Sequence, residues 1–330
     1  MIYDHNAVFT ATWVIDLIGA ERQRPLKNLT CARIIKVKMF VAVRHRNLIR
    51  CTGQTMRQLL EPAMQNSYGI EGYLFASAVI LFIILLIIEK KYPYQPIPKE
   101  ALKSSFKTNT GAFFVNNVIM SIFSLSSLVL VASNYSQYGL LGGMTDGPLK
   151  WFLSFVLFDF AVYVWHYLGH KYEWLWRFHK IHHSDKTYHV TTGLRFHVFD
   201  QAIEVLVKCL CVVIFGVPAS IVVVCELVRM FFVLFHHGNF TFPGEKWVSY
   251  FIITPYLHRA HHSTLREEHD SNYGIVLSCW DMIFGTRKEL VPASIGLDLI
   301  EAENLVQLFS LVFLTERKLA RFLHLLPRRR

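Results

Sequence analysis

The stretch Trp165-His166-Tyr167-Leu168-Gly169-His170, followed by His179-Lys180-Ile181-His182-His183-Ser184, decides how this chain is organised. Its second part, HxxHH, returns as His258-Arg259-Ala260-His261-His262-Ser263. Thirteen of the 16 histidines in the 330 residues lie between the first and last members of this region, His166 and His269. Two HxxHH patterns in a chain of this length are far more than chance gives, so they indicate selected chemistry.

Histidines three or four residues apart on a helix project from one face, with side chains about 5–6 Å apart. The spacing therefore predicts three sets of converging imidazoles: His166 and His170; His179, His182 and His183; His258, His261 and His262. Eight neutral imidazoles are too many for one tetrahedral ion, and an all-nitrogen set indicates two ions among zinc, copper, iron and nickel. A chance cluster is disfavoured because charged rings would repel one another and neutral rings would need many partners.

The composition is that of a membrane protein rather than a soluble enzyme. Hydrophobic residues make up 53% of the chain and aromatic residues 14%, with a mean hydropathy of +0.32. The net charge of +10 suits anionic lipid headgroups, and no nucleic-acid motif accompanies it, which excludes a nucleic-acid partner. The six cysteines form no CxxC pair and are interpreted as small hydrophobic residues.

Four hydrophobic segments predict the fold. Residues 72–88, 111–132 and 149–168 are candidate spans, and the third ends at the first histidine pair. Residues 203–235 are broken by Gly216-Val217-Pro218 and predict a hairpin of two short helices. The prediction is an all-α integral membrane protein, with about four to five membrane-embedded helices and a cytoplasmic, histidine-rich helical cap that holds two metals.

Lysine placement sets the predicted orientation. The loop after the first span is rich in lysine and residues 133–147 contain none, so the positive-inside rule places the histidine clusters in the cytoplasm. Residues 1–65 oppose this rule, since 21–57 carry ten Lys or Arg and one acid. Three regions are expected: a basic extension over 1–65, a catalytic domain over 66–290, and an amphipathic tail over 291–330. The tail is predicted to lie on the membrane surface or to pack as a cytoplasmic helix.

Together these motifs resemble the fatty acid hydroxylase and sterol desaturase superfamily. Beyond the eight histidines, the matching residues are Asp159, Thr254-Pro255, Asp270-x-Asn272-Tyr273-Gly274 and Trp280-Asp281-x-x-Phe284-Gly285-Thr286. The resemblance covers about residues 70–290. It implies a membrane-bound, non-haem di-iron oxidoreductase that uses O2 and two electrons to hydroxylate or desaturate a lipid C–H bond. It also implies an electron donor, either a b-type cytochrome or a ferredoxin and reductase chain.

The family pattern implies a further ligand at the end of the hairpin, where His237 fits best and His236 competes with it. Arg195-Phe196-His197 resembles another motif of the family, but Val198 and Asp200 replace its usual Pro and Glu. His189 and His269 match no ligand position. The predicted metal-binding set is His166, His170, His179, His182, His183, His197, His237, His258, His261 and His262.

An unactivated C–H bond is beyond side-chain acid–base chemistry, so a redox metal is required. Carboxylates are then expected to accept hydrogen bonds from the second nitrogen of the metal-binding rings. The candidates are Asp159, Asp200 and Asp270, with Asp185 and Asp281 behind them. Asp159 is favoured because a carboxylate inside an apolar span is costly and tends to be functional.

Three other functions compete with this interpretation. A membrane zinc protease would need a Glu between its histidines, and neither pattern has one. A metal transporter would place its ligands near the middle of spans rather than at their ends. A catalytically inactive family member stays open because of Val198 and Asp200. Sterol, fatty acyl, ether lipid and carotenoid substrates all remain open, in the endoplasmic reticulum of a eukaryote or the inner membrane of a bacterium.

Overall fold

The computed structural model describes residues 76–122, 128–298 and 302–314. The predictions for the basic extension over 1–65, the start of the first span and the tail beyond residue 314 lie outside the described residues. Within these ranges every regular element is a helix, and the β-type pairings are three isolated bridges. The all-α prediction is therefore confirmed for the described part of the chain.

Twelve α-helices follow in chain order: α1 (76–91), α2 (Lys99–Ile122), α3 (Leu128–Tyr135), α4 (Pro148–Lys171), α5 (Glu173–His183), α6 (Val198–Phe215), α7 (Ala219–His236), α8 (Glu245–Val248), α9 (Pro255–His261), α10 (Arg266–His269), α11 (Cys279–Ile283) and α12 (Leu305–Ser310).

Two of these helices, α4 and α7, are long and apolar enough to cross a membrane. The third predicted span, 149–168, corresponds to α4, which extends three residues further to include its second histidine in the last turn. The predicted span over 111–132 differs from the structure. There α2 begins just after Pro98, a residue that cannot continue a helix, and ends at Ile122 before α3 begins at Leu128. Helix α2 therefore begins with a lysine-containing segment, which the prediction from apolar residues did not include.

The predicted hairpin is confirmed, since α6 and α7 are separated by residues 216–218. Gly216 ends α6 with a φ of 75°, a left-handed conformation that glycine adopts at no steric cost. The loop after α3 joins this turn, because Leu140 and Leu141 donate to the carbonyls of Ile214 and Phe215. A Cβ on Gly139 would overlap the backbone of Gly216, so only glycine allows this approach.

Helix α4 lies at the centre of the fold and packs against α5, α6 and α7. The main hydrophobic core joins α3, α4, α6 and α7 through buried residues that include Phe158, Val162, Val212, Val222 and Cys225. Because this core packs against α4, the last two turns of the helix hold the first histidine pair in a set position.

A second, smaller core ties the tail to the histidine-bearing part of the molecule. Leu308 of α12 is fully buried and packs in a cluster with Ile181 of α5 and Ala112 of α2. The guanidinium of Arg195 donates to Asn109 of α2 and to the carbonyl of Ala302. Residues 302–314 of the predicted tail pack against α2 and α5.

Candidate metal centre

Four helix ends deliver the histidines to one place. Helix α4 presents His170 in its last turn and His166 one turn earlier, α5 and α9 each present an HxxHH set, and His237 follows directly after α7. Helix α9 begins at Pro255, whose fixed φ and missing N–H suit the first position of a helix. The start of the last histidine set is therefore fixed by its sequence.

Two groups of imidazoles form, and within each group the ligand atoms all lie within 4.8 Å of one another. The five-histidine group consists of His166, His170, His179, His183 and His261. The four-histidine group consists of His182, His237, His258 and His262. Every one of these rings is buried, with at most 5% of the residue exposed. The structure thus brings together all the predicted metal-binding residues except His197.

The contacts inside each group fit metal binding. In the four-histidine group, Nε2 of His237 lies 3.0 Å from Nε2 of His182 and 3.1 Å from Nε2 of both His258 and His262. One ring nitrogen carries either a single hydrogen or a single lone pair, so it cannot satisfy three other nitrogens at once. A cation among the converging lone pairs would satisfy all four.

The five-histidine group shows the same convergence. Nε2 of His261 lies 2.9 Å from Nε2 of His166, and Nε2 of His170 lies 3.1 Å from Nε2 of His183. The remaining ring, His179, has a buried Nε2 with no hydrogen-bond partner. A buried polar atom without a partner costs free energy, and a bound ion removes that cost.

Burial favours the neutral state, the one that binds a metal, at five of these rings. Burial, followed by the neighbouring imidazoles, holds the pKa well below its usual value at His182, His183, His258, His261 and His262. A neutral imidazole has a free lone pair on one nitrogen, and the partner of the other nitrogen decides which one.

Backbone carbonyls fix four of the rings. Nδ1 of His166 lies 2.8 Å from the carbonyl of Tyr273, and Nδ1 of His261 lies 2.6 Å from that of Ser271. In the other group Nδ1 of His182 lies 3.3 Å from the carbonyl of Arg195, and Nδ1 of His237 lies 2.5 Å from that of Val233. A carbonyl can only accept a hydrogen bond, so Nδ1 of each of these four rings is the donor. Nε2 of each neutral ring then carries the free lone pair. No side-chain pattern in the sequence could have identified these backbone acceptors.

The candidate carboxylates have different partners. Asp200 lies 3.2 Å from Nδ1 of His179, and Asp270 lies 3.2 Å from Nδ1 of His170. Asp159, which the sequence favoured, instead accepts the N–H groups of Val276 and Leu277 and the indole N–H of Trp280. The expectation that Asp159 supports a ring is corrected, because a loop more than a hundred residues away in sequence takes both its oxygens.

Asp281 and Asp185 also lie away from the rings. Asp281 is fully buried and accepts the N–H groups of Tyr273 and Gly274, which shapes the loop whose carbonyl receives His166. Asp185 accepts hydrogen bonds from hydroxyl and amide groups, including those of α2. Both carboxylates hold the surrounding structure together.

Four further histidines of the described chain lie outside the two groups. His197 lies outside both groups, and its Nδ1 accepts the N–H of Phe199 as the cap of α6, which explains why it faces away from the centre. His236 is buried with its ring 3.9 Å from that of His258, outside both groups. His189 hydrogen-bonds Ser105 and also lies outside. His269 is within reach of His170 and Asp270, a third arrangement that the sequence did not predict.

A small cleft, partly open to the outside, reaches both groups. Five members of the two groups line it, together with His236, Asp200, Glu204 and Arg229. Sequence reasoning missed Glu204 and Arg229, because averaged hydropathy treats the hairpin as uniformly apolar.

Comparison with known proteins agrees with this arrangement. Residues 151–286 match the sequence model of the fatty acid hydroxylase family. The ornithine lipid hydroxylase OlsE of Rhizobium tropici is 33% identical over 214 residues, covering 62% of this chain and 63% of that protein. The alkylglycerol monooxygenase of Xenopus tropicalis is 27% identical, over 68% of this chain and 50% of that protein. A cholesterol 25-hydroxylase-like protein of Danio rerio is 26% identical, over 72% of this chain and 95% of that protein.

No solved structure gives a significant match to the chain. The chain spans 63% and 50% of the length of the first two relatives. The matched family segment contains all the residues of both histidine groups. The resemblance drawn from the histidine motifs is thereby confirmed, since over residues 151–286 the chain is similar to the fatty acid hydroxylase family.

Proposed function

We propose that this protein is an O2-dependent lipid hydroxylase that holds two iron ions, one in each histidine group. The observation that carries the proposal is the convergence of nine buried imidazoles into a group of five and a group of four, with the ligand nitrogens of each group within 4.8 Å of one another. Imidazole also suits zinc, copper and nickel. Iron is favoured because three relatives are named for hydroxylase or monooxygenase activity, and such chemistry requires a redox metal.

The two ions would supply the activation of O2, and the chain's own residues do the rest. The nine rings would hold the metals, while Asp200, Asp270 and the backbone carbonyls hold rings in orientation. Burial of every ring in both groups keeps bulk water away from the centre. The cleft then gives part of a lipid access to this water-poor site.

The membrane placement is also proposed. Helices α4 and α7 are the two with sufficient length and hydropathy, and α1, α2, α3 and α6 would complete a set of about four to five embedded helices. The histidine-bearing helix ends would then face the cytoplasm, where a b-type cytochrome or a reductase chain can deliver electrons. Residues 66–290 would form this catalytic domain.

The substrate class follows from the relatives, whose names include an ornithine lipid, an alkylglycerol and cholesterol. A lipid is what these three share, and hydroxylation rather than desaturation is what their names state. We extend both features to this chain.

Metal analysis of the detergent-purified full chain tests the proposal. We expect close to two irons per chain, and O2 consumption with a reductant that depends on both iron and added lipid. Isotopically heavy O2 should leave one heavy oxygen atom in the lipid product, as read by mass spectrometry. A freshly prepared, folded protein without bound metal would contradict the proposal, as would iron-loaded protein that transfers no oxygen to any lipid.

A further inference from the structure

The α6–α7 hairpin contains five charged residues within two largely apolar helices, and four of them contact one another. Lys208 Nζ lies 2.9 Å from Glu226 and 3.2 Å from Glu204. Arg229 reaches the same two acids, with Nη1 3.3 Å from Glu204 and Nη2 3.3 Å from Glu226. Each cation thus bridges both acids in a closed, neutral ring of ion pairs. Charged residues in membrane-embedded helices are costly, and those that persist tend to serve function.

Only two of these four ion-paired residues face the cleft. Glu204 and Arg229 line the cleft together with rings of both histidine groups, whereas Lys208 and Glu226 do not. Lys208 is nearly fully buried between the two helices. The two cations therefore make matching ion pairs, but they differ in whether an entering molecule can reach them.

The cleft also contains an unused donor and an unused acceptor. Nε of Arg229 is buried and has no hydrogen-bond partner among the described residues, although both Nη atoms are paired. On the same cleft, Oδ1 of Asp200 is buried and unpartnered, while its Oδ2 receives His179. A guanidinium does not lose its proton, so an unused Nε–H in a buried position is a cost that a ligand oxygen can remove.

We infer that Arg229 is a specificity-determining residue whose Nε–H binds an oxygen of the lipid substrate, next to the carbon that is oxidised. A hydroxyl would satisfy both unused atoms, accepting from Arg229 and donating to Asp200. The substrate class is then a lipid that reacts beside an oxygen-bearing group, not in the middle of a hydrocarbon chain. The inference rests on the proposed function.

The alternative is that the ring of charges only ties α6 to α7. In that case the two cations are equivalent, since each bridges the same two acids. Lys208→Gln is therefore a matched control for Arg229→Gln. Both remove one positive charge from the four ion-paired residues, but only Arg229→Gln changes a residue that lines the cleft. Arg229→Lys is a third variant, which keeps a cation near the acids and removes the Nε donor.

Equilibrium binding of radiolabelled lipids to the purified full chain distinguishes the two interpretations. The probes are hexadecylglycerol, hexadecanol and an alkane of matched length. We expect the wild type to prefer the two oxygen-bearing probes. Arg229→Gln and Arg229→Lys should weaken their binding about ten- to a hundredfold, the range for a hydrogen bond to a charged group, with alkane binding unchanged. Lys208→Gln should change every probe by less than about threefold.

Equal losses in Arg229→Gln and Lys208→Gln would overturn the inference, as would a wild type that binds the alkane as well as the alcohols. Product analysis gives a second readout, because oxidation far from the oxygen-bearing group would also overturn it. Binding needs no turnover and can be measured on metal-free protein. A chain that binds these lipids selectively but no iron would therefore contradict the proposed function and leave the role of Arg229 supported.

Discussion

The two histidine groups differ in what holds their rings. In the five-histidine group, His170 and His179 lie against the carboxylates of Asp270 and Asp200. In the four-histidine group, His182 and His237 donate to backbone carbonyls, and within the described chain neither of its other rings has a hydrogen-bond partner on Nδ1. A carboxylate raises the basicity of an imidazole as well as orienting it, whereas a carbonyl mainly orients it.

The groups also differ in how they meet the cleft. Three of the four rings in the smaller group line it, His182, His237 and His258, against two of the five in the larger group. The larger group thus combines more ligands with stronger support, and the smaller group combines fewer ligands with greater access. Under the proposed function, the first group would serve mainly for metal affinity and the second mainly for contact with the substrate and O2.

The largest effect should come from removing a ring of the smaller group. We expect His237→Ala to lose about one iron per chain and at least a hundredfold in activity, since it deletes the nitrogen that approaches three other rings. His197→Ala is the control, because its ring caps α6 outside both groups. Elemental analysis and lipid turnover give the two readouts. If His197→Ala lost as much iron as His237→Ala, the division into two groups would be wrong.

The carboxylates should give an intermediate effect confined to the larger group. We expect Asp200→Asn to weaken one of the two irons about ten- to a hundredfold, as measured by competition with a chelator. Asp270→Asn should cost less, because the Asp270 side chain is 34% exposed and shared with Arg266, whereas that of Asp200 is 4% exposed. Weakening of both irons to the same degree would show that the groups do not act separately.

The sequence predicted which histidines gather but not how they divide. Helical spacing places each HxxHH set on one face, and it treated each set as one unit. In the structure α5 gives its i, i+4 pair, His179 and His183, to the larger group and His182 to the smaller one. Helix α9 does the reverse, giving His258 and His262 to the smaller group. Periodicity defines a helix face, whereas the choice between two centres depends on tertiary packing.

Asp159 shows a second limit of sequence reasoning. Its cost inside an apolar span singled it out, but cost does not identify a partner. Two of its three partners are the backbone N–H groups of Val276 and Leu277, which the sequence does not reveal, and the third is the indole N–H of Trp280. The hairpin charges were missed for the opposite reason, since an average over many apolar residues conceals four polar ones.

The smallest effect we predict comes from the loop that orients the larger group. Asp281 accepts the N–H groups of Tyr273 and Gly274 at 2.8 and 2.9 Å, and the carbonyl of Tyr273 receives His166. In Asp281→Asn an NH2 group replaces one of the two carboxylate oxygens, so one of the two backbone N–H groups loses its acceptor. The free energy of unfolding should therefore fall by about 1–3 kcal/mol. The control is Asp146→Asn, at a side chain that is 78% exposed.

Because Asp281 acts on the ring of His166 only through a carbonyl, iron affinity in Asp281→Asn should fall less than in Asp200→Asn. The loss should again be confined to one ion. Thermal or chemical unfolding measures the first effect and chelator competition the second. A variant that kept full stability but lost iron as readily as Asp200→Asn would mean that Asp281 meets the larger group directly, and the contrast between carboxylate and carbonyl support would then no longer explain how the two groups differ.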